Sequence, residues 1–500
     1  MSHDRPVTGS WQDDAPLFAA WRDFVSSDSA PFTIPGHKRL AGTLDPDLGR
    51  LLDADVPLYG GVDTVKLTAG VLSDAEQRAA RLWGADVCRF STGGSTHANQ
   101  VLCLTVGRPG DTVLVARNAH RSILSGLVLA GLRPVWLPVA ADARTGAPAG
   151  VAVADVQEAL RRHPESVAVM VTDPSYQGTG ADLATLAEVA HAQDVPLVVD
   201  QAWGAHLGFH PAYPGHALQA GADAMITSAH KMLPAFSQAA VVLARGARLD
   251  LGRLERAFEA THTTSPAAAI LASIDAARAF LQADEGRAAL GRTAILVDRA
   301  RRRLTAAGLM VPGPADYPSG RFDPAKLVVH FAAAGRSGLD AERELLGRGV
   351  PVEMADRDAL VAQVGLLDDE GTIGRLVDGI LASFAEPGSP RPVVVAAPPL
   401  PPAPLTPREA FFADEEVVAR DAALDRVSAE LIAPYPPGVP LLVPGEQITA
   451  ATLTALDRAR AAGNRIAYAT DPALSVFRVV RSAPDSGAEP LQTSRSADPT

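Results

Sequence analysis
The run Ser91-Thr92-Gly93-Gly94-Ser95-Thr96-His97-Ala98-Asn99 sets glycines and hydroxyls against a segment of helical character. Glycine lets a backbone approach an anion, and a helix N-terminus adds free N–H groups and about half a positive charge, so this run suits a phosphate. It is neither a Walker loop, since no Gly-Lys-Ser/Thr follows, nor a GxGxxG turn. A second segment, Val198-Val199-Asp200, ends an apolar run with an acid, and Ala202-Trp203-Gly204-Ala205-His206 follows it. Open α/β sheets take their ligands at such carboxyl strand ends. The third, Thr227-Ser228-Ala229-His230-Lys231-Met232-Leu233-Pro234, places a lysine among apolar neighbours. An ammonium stripped of water loses pKa and becomes an amine able to form an imine. Taken singly, the three read as well as a capped helix start, a strand-end cap and a solvated lysine.

Taken together they fit one demand. An anion cradle, a strand-end carboxylate and a desolvated lysine in one α/β region are what a protein supplies to pyridoxal 5'-phosphate: a phosphate site, a partner for the protonated ring nitrogen and a Schiff-base amine.

The elements that would position these residues alternate in the expected way. From about residue 75 to 245, β-rich runs at Thr112–Val115, Val135–Pro138, Val167–Thr172, Leu197–Val199, Ala224–Thr227 and Ala239–Leu243 alternate with segments of helical character at Asp74–Trp83, Thr96–Val106, His120–Ala130 and Leu183–Ala192. Several of the runs are apolar without alternation, as in a parallel sheet buried on both faces. The fold class expected is α/β, a mainly parallel sheet in a large domain with a smaller α+β C-terminal domain. The chain divides into an N-terminal segment 1–30, a large domain with a following small region 31–386, a proline-rich linker 387–407, a C-terminal domain 408–481 and a disordered tail 482–500. Proline in the linker removes donors and fixes φ, which argues for extended chain. Beyond it Arg408–Ile432 reads as helical, Tyr435-Pro436-Pro437-Gly438 as a turn, and Pro440–Val443 as an apolar run.

Composition excludes several classes. The chain has 500 residues, 47% hydrophobic, with a net charge of −12 and acids and bases intermixed, which argues against a nucleic-acid binder. Two cysteines, Cys88 and Cys103, exclude a disulfide scaffold and an all-cysteine zinc site, and no metal is expected. The acidic N-terminus lacks the build of a signal peptide, and no apolar run reaches the roughly 20 residues that cross a bilayer. A cytoplasmic protein with no membrane partner is expected.

The order and spacing of several motifs resemble the bacterial ornithine/lysine/arginine decarboxylase family of fold-type I pyridoxal-phosphate enzymes. The carrying segments are Pro35-Gly36-His37-Lys38, Gly94-Ser95-Thr96, Arg117-Asn118-Ala119-His120-Arg121-Ser122, Asp173-Pro174-Ser175-Tyr176-Gln177-Gly178, Asp200-Gln201-Ala202-Trp203, Ser228-Ala229-His230-Lys231 with Gln238, and Tyr435-Pro436-Pro437-Gly438 with Pro444-Gly445-Glu446. They span residues 30 to 470. The resemblance implies that Lys231 bonds the cofactor, that Asp200 pairs with its ring nitrogen and that His120 stacks on its ring. It also implies that Gly94, Ser95, Thr96 and Ser228 hold the phosphate, with His230 and Trp203 packed beside it. Tyr176 and Gln177 shape a turn in this reading, His37 and Lys38 are candidate substrate contacts, and Thr261-His262-Thr263-Thr264-Ser265-Pro266 matches an element near a neighbouring subunit's site. No room precedes Pro31 for the regulatory domain of larger members, so a homodimer is expected, with a higher homo-oligomer as the alternative.

The activity implied is decarboxylation of a basic L-amino acid to its amine and carbon dioxide, a step of polyamine biosynthesis. Arginine is favoured over lysine and ornithine, because Glu353 and Asp356 would offer a planar guanidinium a bidentate pair. His230 and Lys231 are both candidates for the group that returns a proton to Cα. The alternatives are an aminotransferase or aldolase-type lyase using the same cofactor, and a catalytically silent regulatory relative.

Overall fold
The computed structural model describes residues 10–30, 32–58, 62–63, 69–317, 321–384, 388–392, 400–435 and 438–481. The tail 482–500, Pro436, Pro437 and residues 393–399 of the linker lie outside the described residues.

Nine strands precede residue 245 among the described residues: β1 (Val87–Ser91), β2 (Thr112–Ala116), β3 (Arg133–Leu137), β4 (Val139–Ala141), β5 (Pro148–Val151), β6 (Val169–Thr172), β7 (Leu197–Asp200), β8 (Ala224–Ser228) and β9 (Ala240–Ala244). β4 and β5 form a separate antiparallel pair, and the other seven make one sheet in the order β1-β9-β8-β7-β6-β2-β3. β2, β3, β6, β7 and β8 run parallel, while β9 reverses against both β8 and β1. Every residue of β7 and β8 is buried, which explains their unbroken apolar character up to Asp200 and Ser228. All six expected strands are present within a residue or two, and so are three of the four helices, the fourth beginning at Val71 rather than Asp74. β1 is the addition. Its polar Arg89, paired with Glu76 and Glu255, breaks the apolar run that would have marked it in the sequence.

A second region carries β10 (Lys326–His330), β11 (Met354–Ala355) and β12 (Ala359–Gln363) as an antiparallel sheet in the order β10-β12-β11. Helices Asp284–Ala306, Gly338–Gly347 and Glu370–Ser383 cover it around a core that includes Val329, Phe331, Leu345, Leu360 and Ile380.

The C-terminal region departs from expectation. Arg408–Ile432 is not one helix: the helix Pro407–Phe412 stops early, Glu415–Ala419 pairs antiparallel with Val476–Val480, and a single turn follows at Arg420–Ala423. The Glu-Glu-Val-Val stretch has β-branched residues that fit a pleated surface, and that packing outweighs its helical composition. The expected apolar run packs inward, with Leu442 and Val443 buried.

One buried ion pair ties this region to the large sheet. Arg117, one residue beyond β2, gives Nη1 and Nη2 to the two Glu446 oxygens at 2.5 and 2.9 Å, and its Nε to the Pro440 carbonyl at 3.1 Å. Glu446 is fully buried and also accepts the Val443 N–H. Breaking one partner of a buried pair costs about 3–5 kcal/mol because it strands the other charge. Glu446→Ala is therefore expected to raise amide hydrogen exchange across Ala433–Val480 and to lower the thermal transition. Unchanged exchange in that region would show that the pair does not hold it.

Candidate active site
The large sheet delivers its chemistry at the carboxyl ends of β7 and β8. Asp200, the last residue of β7, is buried, with Oδ2 accepting Asn99 Nδ2 at 2.8 Å and Oδ1 accepting the Ala202 N–H at 3.1 Å. Both donors are neutral, and among the described residues no ion pair compensates the carboxylate. Asn99 also donates to Ser122 Oγ at 2.9 Å, and Ser122 Oγ meets His120 Nδ1 at 2.8 Å. His120 caps the helix Arg121–Ala130, and its Nδ1 accepts the Ser122 N–H, which leaves the proton of the neutral ring on Nε2. Burial holds His120 below the ordinary histidine range, against the pull of Asp200 and together with the charges of Lys231 and Arg121. A neutral, flat imidazole therefore stands beside the carboxylate.

Lys231 lies in the short helix Ala229–Met232 directly after β8. Its Nζ is 4.3 Å from the centre of the buried Trp203 ring and 5.9 Å from that of Tyr176, whose own ring leans on Trp203. Burial pulls the Lys231 amine down, while Asp200 and Glu353 pull it up. His230 donates Nδ1–H to the Ala239 carbonyl at 2.9 Å, so its neutral ring keeps a free lone pair on Nε2. Burial lowers its pKa, against that bond.

The expected phosphate cradle begins the helix Gly94–Val106. Gly94 takes φ +68°, a conformation open to glycine, and its N–H bonds the Gln238 carbonyl at 2.9 Å. The Ser95 and Thr96 amides in the first turn have no intrahelical acceptor. Ser95 Oγ lies 2.7 Å from Ser228 Oγ, which brings this loop to the end of β8 and hence to Lys231. His262 is bonded to Thr92 of the same loop, its ring nitrogen accepting the Thr92 N–H at 3.2 Å.

Other sequence candidates fall elsewhere. His37 and Lys38 are engaged within their own region, His37 with Asp55 at 3.4 Å and Lys38 with the Thr33 carbonyl. Glu353 and Asp356 do not form a bidentate pair, a correction to the expected guanidinium clamp. They flank the two-residue strand β11, and strand alternation turns residues three apart to opposite sides. Asp356 Oδ1 is committed to the N–H groups of Asp358 and Ala359, closing the turn into β12. Glu353 by contrast acts electrostatically on Lys231.

Two residues near the reacting amine escaped the sequence reading. Asn99 joins Asp200 to His120 from inside a helix, where its amide looks like any other helical side chain. Lys326 begins β10, is fully buried, and places Nζ 3.6 Å from the same Trp203 ring. A compositional signal was present for it: four of the 45 basic residues are lysines, namely Lys38, Lys66, Lys231 and Lys326, in a chain that otherwise uses arginine.

The site fits the cofactor that its residues suggest. An uncompensated buried carboxylate suits a protonated ring nitrogen, the free first-turn amides beside two serine hydroxyls suit a phosphate, and a desolvated amine suits an aldehyde. On this sheet topology, that set defines the class of fold-type I pyridoxal-phosphate enzymes. The particular family follows from likeness. The model for the Orn/Lys/Arg decarboxylase major domain matches residues 15–311, and that for the C-terminal domain of the same family matches 397–466. The chain is 34% identical over 489 residues to an arginine decarboxylase of Halalkalibacterium halodurans, covering 94% of this chain and 99% of the relative. It is 32% identical to the arginine decarboxylase of Bacillus subtilis over 94% of this chain and 98% of that one. The solved constitutive lysine decarboxylase of Escherichia coli shares the fold, with a TM-score of 0.76 at 23% identity over 94% of this chain and 82% of that one. The protein belongs to the Orn/Lys/Arg decarboxylase family, whose cofactor is pyridoxal 5'-phosphate.

Proposed function
We propose that the protein decarboxylates L-arginine to agmatine and carbon dioxide, with lysine and ornithine as poorer substrates. The observation that carries the cofactor chemistry is the buried, uncompensated Asp200 set next to the desolvated Lys231, and decarboxylation as the bond broken is supported by the family match over residues 15–311. The preference for arginine rests on relatives of that name that align along nearly their whole length.

When bound, pyridoxal 5'-phosphate supplies an aldehyde for the amine of the substrate and a ring that accepts the electron pair left as carbon dioxide departs. The chain's residues do the rest. Ser95, Thr96 and Ser228 hold the phosphate through hydroxyls and first-turn amides. Asp200 keeps a proton on the ring nitrogen, and Asn99 with the Ala202 N–H keeps that carboxylate aimed. His120, a neutral imidazole oriented by Ser122, would supply a flat face for the ring. Trp203 and Tyr176 exclude water around Lys231, so its amine stays nucleophilic and can accept or return a proton at Nζ. His230 offers Nε2 as a second proton site.

Glu353 is the acid that meets the cationic tail of the substrate. Since the contact is made equally in ground and transition states, Glu353→Gln is expected to raise KM for arginine about tenfold with kcat nearly unchanged, a charge-assisted bond being worth about 1.5 kcal/mol or more. Amine product is followed for arginine, lysine and ornithine in both proteins. A wild type that prefers lysine or ornithine would overturn the arginine assignment, and an unchanged KM would remove Glu353 from the tail.

The active form in this reading is a cytoplasmic homodimer. Its support is the exposed apolar group Phe32, Ile34, Leu40, Leu44 and Leu51, together with two buried, unpaired cysteines that fit a reducing compartment. The expected mass in solution is that of two chains.

A further inference from the structure
Lys326 is a costly residue to keep where it is. Its side chain is fully buried, and among the described residues no ion pair with a carboxylate compensates it. Its Nζ donates to Gln363 Oε1, directly across the β10–β12 ladder, and Gln363 in turn contacts Met232, the residue after Lys231. The stem runs over Gly178, where a Cβ would sit 2.8 Å from Lys326 Cγ and where φ is +90°. The turn after Tyr176 is thus open to glycine and leaves space for this lysine. The aromatic ring that Lys326 faces is the one that Lys231 faces, at 3.6 and 4.3 Å from a common centre, so the two nitrogens are no more than about 8 Å apart.

We propose that Lys326 is a positioning residue for the reaction: it forms with Lys231 a coupled pair across Trp203 that carries one positive charge near neutral pH, so that the charge rests on Lys326 whenever Lys231 is bonded and opposes protonation of Lys231 when it is released. This rests on Lys231 being the amine that bonds the cofactor. The groups facing Lys231 are Asp200, His120, Glu353, His230, Tyr176 and Lys326. Those acting on Lys326 are Asp323, Glu353 and Lys231. Burial first, and the Lys231 charge in the same direction, hold Lys326 down to about 7 against the upward pull of Asp323 and Glu353. Asp323 is itself held by His206 Nε2 at 2.9 Å and by the Ala325 N–H. Two charges within about 8 Å in a medium of intermediate polarity shift one another by at least about one pH unit.

Coupling of this kind is reciprocal, and that makes it testable apart from turnover. With four lysines in the chain, protein labelled with 13C at lysine Cε has four side-chain signals to follow against pH, assigned by substitution. Without cofactor, the two lysines are expected to lose their protons in separate steps, and Lys231→Ala is expected to raise the Lys326 midpoint by at least about one unit. With cofactor, the midpoint of the visible band is expected to rise in Lys326→Met and to be held in Lys326→Arg, which keeps the charge. Methionine fills the buried space without a charge, and its fold is checked by thermal unfolding. Gly178→Ala, which displaces the lysine without removing it, should move the band in the same direction as Lys326→Met. If Lys326 titrates identically with and without Lys231, the pair does not exist. If no visible band forms in the wild type, the cofactor assignment fails instead, and the two failures are separable.

Discussion

Lys231→Ala is expected to abolish turnover and to remove the visible absorbance of the cofactor-loaded protein. The amine that bonds an aldehyde must be close, uncharged for part of the time and free of a competing acceptor. Lys231 meets these conditions at the end of β8, beside Ser228 and the Gly94–Thr96 turn, with Nζ over Trp203 and without a carboxylate partner among the described residues. Lys326 does not replace it, because its Nζ is bonded to Gln363 and its stem is fixed over Gly178. Purified variant and wild type are compared by absorbance and by amine release at saturating cofactor. A variant that keeps the band and full activity would mean that another amine does the work.

Asp200→Ala is expected to leave the fold intact and to lower turnover by about 10² to 10⁴. Removing one member of a buried charged pair costs about 3–5 kcal/mol, and each 1.4 kcal/mol or so expressed in the transition state is tenfold in rate. The backbone support for this reading is local: β7 pairs with β6 and β8 along its length, so the strand does not depend on its last side chain. What does depend on it is the Asn99 amide, which would keep Ser122 and lose its charged acceptor. Asn99→Ala is the milder companion, expected to misaim the carboxylate and lower the rate by less than Asp200→Ala. A fall of less than tenfold in the Asp200 variant, with cofactor saturating, would take this carboxylate out of its role.

The strand ends and the residues just beyond them were legible because burial on both faces leaves a run of apolar residues that stops abruptly at a polar one. Val198-Val199-Asp200 and Thr227-Ser228 are such stops, and the structure puts both on adjacent strands of one sheet. Lys326 was not legible in the same way. It stands at the start of a strand of a different sheet, some 95 residues after Lys231, and it reaches the site because the antiparallel order β10-β12-β11 and the Gly178 turn bring it there. Sequence periodicity carries no trace of that approach, although the scarcity of lysine does. The Glu353 and Asp356 pair failed for a related reason. A loop after a strand would leave both acids free to converge, whereas the two-residue strand β11 lies between them and turns them apart, with little pattern to announce it. Glu415–Ala419 misled because its acids favour helix while its partner, Val476–Val480, lies some 60 residues away.

The most direct measurement of the central claim is a product balance. The purified protein, loaded with pyridoxal 5'-phosphate, is incubated with L-arginine, and both carbon dioxide and agmatine are quantified against arginine consumed, with the Lys231→Ala protein as control. Equal molar release of the two products by the wild type, and none by the variant, is the result that the site predicts. Formation of a keto acid without carbon dioxide, or no consumption of arginine, lysine or ornithine by fully loaded protein, would contradict it.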